Sequence, residues 1–313
     1  MKGLELSRGY YGEFGEPMLR EKFPDLLPFV AVGFCGAGSE CLGYDDEVSR
    51  DHDFEPGFTI FLPGEDVVDR RRAFELERAY AKLPSEFAGV PRLKLAPVGG
   101  ARHGVVRTAD FFRDRTGAEN GNLSLHEWLS VPEPSLLEAV CGEIFFDGYG
   151  EVTAIREQLA YFPEDIRRKK LAGNLLLMAQ SGQYNYKRCL AHGEEGAAQL
   201  AAIEFARAAS AAVFLLNRRY QPFYKWKFRT MRSLPLLPLT AELLEYLITT
   251  GNGADIREEK SGVIETVAAD VIDALTEQGL TGAVCLDLEK HAYSVNDGIA
   301  DAGLRNAHVL AAV

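Results

Sequence analysis

Two short motifs in the first quarter of the chain have side chains suited to phosphate chemistry: the turn Gly36-Ala37-Gly38-Ser39 and the acidic triplet Asp51-His52-Asp53. On an extended strand, side chains two positions apart share a face. Asp51 and Asp53 would then present two carboxylates together, with His52 and Phe54 on the other side. Two adjacent carboxylates repel unless a cation joins them, and a hard, oxygen-seeking ion such as Mg²⁺ is the natural partner. A small-residue turn leading into a helix exposes backbone N–H groups that cradle an anion. Together the motifs point to a divalent ion and a phosphate chain meeting at one place.

The same residues fit other readings. Six carboxylates between Asp45 and Glu55 also suit a solvated acidic loop. A calcium loop starting at Asp51 fails, because its turn position holds Pro56 where glycine is needed and its closing ligand position holds Leu62.

The elements that must position these motifs are legible as runs. Residues 1–30 read as helical, with Leu19, Phe23, Leu26 and Leu27 on one stripe and Pro24 and Pro28 breaking it. FVAVGFC (29–35) is a buried strand feeding the glycine turn, and residues 38–46 form a short helix or loop. Asp51–Phe54 and Phe58–Leu62 are successive strand segments with a bend at Pro56-Gly57. Residues 65–83 carry apolar positions 68, 74, 76, 79, 80 and 83 among dense charge, which predicts a surface helix. Residues 99–112 combine a glycine turn, a Val-Val strand and an aromatic pair. A polar loop and a helical segment cover 117–140, and 142–150 read as a strand ending in the turn Asp147-Gly148.

Beyond residue 150 helix formers dominate, so the chain is expected to be α+β. A mixed sheet with flanking helices (1–152) would be followed by an all-α bundle (153–313), with the boundary near 150–155. Pro163-Glu164-Asp165 starts a helix that Ile166–Met178 continue. The alanine-rich 196–220 predicts a long, tightly packed helix, and 240–247 and the amphipathic 261–278 predict two more. His291 and Arg305 read as hydrogen-bonding groups within an apolar tail.

Gly38-Ser39, eleven residues, then Asp51-x-Asp53 between apolar runs resembles the signature of the polymerase-β-type nucleotidyltransferase superfamily. The wording GSECLGYDDEVSRDHDF looks more specifically like an uncharacterised family of bacterial cytoplasmic proteins with a nucleotidyltransferase-like front half and a helical back half. The resemblance implies that Gly38 and Ser39 hold the triphosphate of a nucleoside triphosphate, with ATP the expected one, and that Asp51 and Asp53 hold Mg²⁺. The sequence departs from that pattern where a third acid belongs on a strand: it has Val105, Val106 and Arg107, and the nearest acid, Asp110, fits a helix N-cap equally well. In related antibiotic nucleotidyltransferases the helical domain closes over the catalytic face. By that resemblance Tyr184, Asn185, Arg188, Asn217, Tyr220 and Lys225 are candidates to face the cleft, and a hydrogen-bonded core network is the competing reading. Arg188 and His192 also resemble an RNA-cleaving motif, at a spacing one residue tighter than usual.

The implied activity is Mg²⁺-dependent transfer of a nucleoside monophosphate to a hydroxyl on an unknown small-molecule or protein acceptor. The alternative is a catalytically silent nucleotide-binding or interaction module. A formal charge of −12 over 313 residues argues against an extended nucleic-acid partner. Five scattered cysteines without a CxxC pair suit reduced thiols in a cytoplasm. No run of 18 uninterrupted apolar residues points to a membrane, and nothing in the sequence fixes an oligomeric state.

Overall fold

The computed structural model describes residues 1–48, 54–92 and 103–313. The chain divides into two compact units, Met1–Glu127 with Val131–Ala160 and Trp128–Ser130 with Tyr161–Val313. The division thus falls after Ala160, where composition placed it near 150–155.

In the first unit the predicted N-terminal helix is continuous from α1 (Gly3–Tyr10) through a π-helical turn (Tyr11–Gly15) into α2 (Glu16–Lys22), and it ends just before Pro24. Strand β1 (Ala31–Phe34) follows, then a single 3₁₀ turn (Glu40–Leu42) and β2 (Thr59–Leu62). Helix α3 (Arg70–Tyr80) is shorter than the predicted 65–83 because Asp69 caps it, its carboxylate accepting the Arg72 N–H at 2.8 Å. A two-rung hairpin, β3 (Glu86–Phe87) and β4 (Val90–Pro91), precedes β5 (Gly104–Arg107) and α4 (Thr108–Thr116). Helix α5 (Leu125–Ser130) starts from a Ser124/Glu127 capping box. It leads to α6 (Glu133–Val140), β6 (Glu143–Asp147) and α7 (Glu151–Gln158).

The four-stranded sheet has the order β5-β2-β1-β6. β1 is antiparallel to β2 (Gly33 opposite Thr59) and to β6 (Phe34 opposite Glu143), and β5 is parallel to β2 (Gly104 opposite Thr59). The sheet is therefore mixed, and the α+β class follows. This topology gathers the C-terminal end of β1 and the N-terminal ends of β2, β5 and β6 at one end of the sheet. β1 and β2 are buried at every position, which is why they read as unbroken apolar runs rather than as alternating ones. Phe58, fully buried, packs against the rings of Tyr10, Tyr11 and Tyr80 at 5.0–5.9 Å between centroids. A cavity there costs about 3–5 kcal/mol.

The second unit is helical. The helix that begins as α8 (Glu164–Met178) does not end at Met178, where the predicted helix does. It runs through a π-helical stretch (Ala179–Tyr186) into α9 (Lys187–Ala191). Gly182 lies where a Cβ would stand 2.3 Å from the Phe205 ring, so its bare backbone admits the neighbouring helix instead of breaking its own. That neighbour, α10 (Glu195–Leu216), contacts α8, the π-helical stretch, α12 (Thr240–Thr249) and α13 (Arg257–Glu277), and α11 (Tyr224–Met231) follows it in the chain. Its length and mean hydropathy would suffice to cross a membrane, yet 67% of the apolar window is buried among the other helices. Helices α14 (Leu288–Asp297) and α15 (Ala302–Asn306) and a 3₁₀ turn (Val309–Ala312) close the chain.

Two lysines are fully buried in this unit, and neither has a carboxylate among its bonded partners. Lys260 Nζ donates to Gln199 Oε1 (2.9 Å), the Thr250 carbonyl (2.9 Å) and Asn252 Oδ1 (3.0 Å), and the Tyr186 hydroxyl also donates to Asn252 Oδ1 (2.9 Å). Lys169 Nζ donates to Asn296 Oδ1 (2.9 Å) and the Ala307 carbonyl (2.7 Å). Three acceptors match the three N–H bonds of the Lys260 ammonium, the arrangement a buried charge requires. His291 and Arg305 are hydrogen-bonded within the tail, His291 to Cys285 and Thr281 and Arg305 to the Ile299 carbonyl.

Candidate functional site

The turn Gly36–Ser39 leaves β1 at the sheet end described above. Gly36 (φ +110) and Gly38 (φ +120) both take backbone angles that L side chains rarely adopt, so the turn needs glycine at these positions. The helix that follows is only the 3₁₀ turn Glu40–Leu42, closed by Gly43. The Ser39 carbonyl accepts the Leu42 and Tyr44 N–H groups at 3.2 and 2.8 Å. One turn carries little dipole, so any attraction for an anion here must come from exposed N–H groups and nearby cations. The Ser39 hydroxyl is buried beside the buried Glu40 carboxylate, 3.4 Å away.

Arg115, on the last turn of α4, supplies such a cation. Its guanidinium stacks 3.7 Å above the Phe111 ring and donates from Nη1 to the Phe111 carbonyl at 2.8 Å. It packs so closely on Gly36 that an added Cβ would stand 2.9 Å from Nη2. Its Nε is buried and has no hydrogen-bond partner among the described residues. Burial lowers the Arg115 guanidinium from its usual range, with Glu138 and Asp114 opposing. Sequence reasoning missed this residue because only the return of α4 along the sheet brings position 115 to the turn.

Three of the five cysteines also gather here, although the sequence scatters them. The Cys141 thiol donates to the Gly36 carbonyl (3.1 Å), the Cys41 thiol faces the Ala37 carbonyl (3.9 Å), and the Cys35 thiol faces the Glu143 carbonyl (3.6 Å). Burial pushes the Cys35 thiol up to about 11, whereas a hydrogen bond with Cys41 holds the Cys141 thiol below the usual range. Arg156 fastens the neighbouring loop through the Val140, Cys141 (3.2 Å) and Gly142 (3.1 Å) carbonyls. His103, just ahead of β5, stacks on Phe34 at 5.3 Å.

Asp51 and Asp53, with His52 and the glycine pair 99–100, lie outside the described residues. Among the described residues no group of three or more His, Cys, Asp or Glu side chains is arranged to hold a metal. Asp110 is not brought to the turn. It occupies the first turn of α4, beyond the C-terminal end of β5 and hence at the opposite end of the sheet, exposed and paired with Arg113 at 2.6 Å. β5 itself carries no acid, and Arg107 is spent on the Pro63 and Val68 carbonyls at 2.6 and 2.8 Å. Asp147 serves turn chemistry, accepting from Gly150 N, Thr153 N and Thr153 Oγ1 at 2.7–2.9 Å and so starting α7.

The six cleft candidates of the second unit do not form one group. Tyr184, Asn185 and Arg188 are exposed, with Arg188 5.0 Å over the Tyr184 ring, shortly before α10 begins. Asn217, Tyr220 and Lys225 lie beyond the other end of this 22-residue helix. Asn217 is a clamp, donating to the Val213 and Leu236 carbonyls (2.8 and 3.0 Å) and accepting from Leu236 N (2.9 Å). Tyr220 is core, its ring 4.9 Å from Phe162 and 5.4 Å from Tyr161. Lys225 is exposed beside the Trp226 ring at 5.0 Å.

No curated protein matches the chain. A family model does match part of it, from within α5 into the first half of α11, leaving the glycine turn and β1, β2 and β5 unmatched. Over residues 128–227 the chain is thus similar to a domain of unknown function, DUF4037.

Proposed function

We propose that the first unit is a nucleotidyltransferase-like domain of the polymerase-β type, which binds a nucleoside triphosphate, ATP by expectation, and passes its nucleoside monophosphate to a hydroxyl acceptor. The observation that carries this reading is the glycine turn at the end of β1 with Arg115 packed on it, a cation whose Nε has no partner among the described residues. The turn's bare backbone and a forked guanidinium are complementary to phosphate oxygens. The sequence adds the metal half: only Phe54–Phe58 separate Asp53 from the first residue of β2, the strand that starts at the same sheet end.

In this reading Gly38 and Ser39 hold the β- and γ-phosphates and Arg115 offsets their charge. Asp51 and Asp53 would hold Mg²⁺, whose charge would balance the phosphate chain. The acceptor hydroxyl oxygen, losing its proton to solvent, forms a bond to the α-phosphorus as the bond to the bridging oxygen breaks, and pyrophosphate leaves. The chain's own part is positioning and charge neutralisation. ATP titration with and without Mg²⁺ tests the metal role, because Asp51→Asn with Asp53→Asn should abolish the Mg²⁺-dependent gain in affinity. Equal gain in variant and wild type would remove it.

A specific observation favours a second reading, a silent nucleotide-binding module. β5 bears no carboxylate and Asp110 stands at the far end of the sheet, so a third metal ligand is absent from the described strand. Pyrophosphate release from ATP offered with a pool of cell-extract acceptors separates the two readings, since the silent module releases none.

A further inference from the structure

A cavity of about 560 Å³ lies wholly within the second unit, where the start of α8 meets the end of α10. One wall is cationic. Arg167, Arg168 and Arg218 converge there on a single carboxylate, Glu164, which takes Arg167 Nη1 and Arg168 Nε at 3.2 Å and Arg218 Nη2 at 2.8 Å. Three guanidinium groups against one carboxylate leave two positive charges in excess. Arg167 is almost fully buried and committed, with Nε on the Leu215 carbonyl (2.8 Å) and Nη2 on Gln278 Oε1 (2.6 Å). Arg168 and Arg218 retain N–H groups beyond their bonds to Glu164. Leu216, Pro235, Leu236 and Leu280 give the cavity its apolar lining, beside Asn217 and Gln278.

Two further features accompany this charge. Arg218 sits at the C-terminal end of α10 with φ +51, a left-handed backbone position where glycine is favoured and a long side chain is strained. The chain is acid-free from Phe205 to Ala241 while carrying seven cations, in a protein of net charge −12. From the charge excess, the uncommitted N–H groups and the apolar lining, we infer that the cavity binds a small phosphate monoester, its dianion held by Arg168 and Arg218 and its organic body against Leu236 and Leu280. This site does not rest on the nucleotidyl-transfer reading.

The test uses the full-length protein without Mg²⁺ at pH 8, where a phosphate monoester is a dianion. Phenyl phosphate and inorganic phosphate are the calorimetric probes. Phenyl phosphate is expected to bind more tightly than inorganic phosphate, and Arg168→Met and Arg218→Gly should each weaken it roughly tenfold or more. Arg218→Gly is chosen because glycine suits φ +51, so the fold is retained. Glu164→Gln, which frees Arg168 and Arg218, should tighten binding. The inference is overturned if both arginine variants bind like wild type, if Glu164→Gln weakens binding, or if the two probes bind equally. Loss of fold in Arg218→Gly would also overturn it, since the arginine would then be a structural requirement.

Discussion

Replacing Arg115 with methionine separates the phosphate-binding reading of the turn from simple packing. Methionine keeps an apolar stem over Phe111 and leaves Gly36 uncrowded, but it removes the charge and the forked donors. On the stability side, the change forfeits a desolvated cation–π contact at 3.7 Å and one hydrogen bond at 2.8 Å. These are worth about 2–3 kcal/mol together, of which a sulfur–aromatic contact recovers about 1 kcal/mol. The net cost should be about 1–2 kcal/mol, small enough to leave the fold intact at room temperature. On the binding side, each charge-assisted hydrogen bond to a phosphate oxygen carries about 1.5–3 kcal/mol, so ATP affinity should fall by roughly 10- to 150-fold. Arg115→Lys should lie between, since a lysine keeps the charge and loses the fork. Calorimetric titration with Mg²⁺ and ATP, run beside urea unfolding of the same samples, gives both numbers. An affinity within twofold of wild type, with the unfolding midpoint lowered as expected, would refute the reasoning. Arg115 would then only pack the turn.

Other measurements bear on the rest of the molecule. Ser124→Ala removes the hydroxyl that accepts the Glu127 N–H and should cost about 1 kcal/mol in urea unfolding. Phe58→Ala should cost about 3–5 kcal/mol, because the rings of Tyr10, Tyr11 and Tyr80 cannot all collapse into the space left. Burial holds the Lys260 ammonium below its usual range, so the unfolded chain binds that proton more tightly. Its contribution to stability therefore rises with pH from the lowered folded value to about 10.4. Relative to wild type, Lys260→Met should show a flatter rise in stability between pH 8 and 10. With its thiol at about 11, Cys35 is thiolate in only about one part in ten thousand at pH 7. Iodoacetamide mass spectrometry of the native protein should find Cys141 alkylated well before Cys35.

The strands were readable in the sequence because both central ones are covered on two faces and so appear as the apolar runs Phe29–Cys35 and Phe58–Leu62. The helix over 65–83 was readable in kind and too long in extent, since the capping aspartate at 69 overrides the periodicity before it. Three features were hidden, each because it depends on distance through space. Ser181-Gly182 looks like a break until the Phe205 ring that fills the space is known. Arg115 looks like any helix-end cation until α4 folds back. The six polar residues grouped by family resemblance stand apart because α10 intervenes, and its 22 residues were countable in advance as a spacer. The lysines at 169 and 260 gave no signal, since Lys169 is satisfied by Asn296 and Ala307 and Lys260 in part by Gln199, all far off in sequence.

The central helix also constrains how the protein is made. α10 leaves the ribosome with α8 already available as a partner, but α12 and α13, which cover other parts of it, are encoded up to sixty residues later. During that interval a long, alanine- and leucine-rich surface stands open to solvent, with the composition that targeting and quality-control machinery captures. A nascent chain stalled between Leu216 and Arg257 should therefore be the most chaperone-dependent and aggregation-prone form of this polypeptide. A chain extended past Glu277 can cover α10, whereas α8 still awaits α14 and the C-terminal 3₁₀ turn.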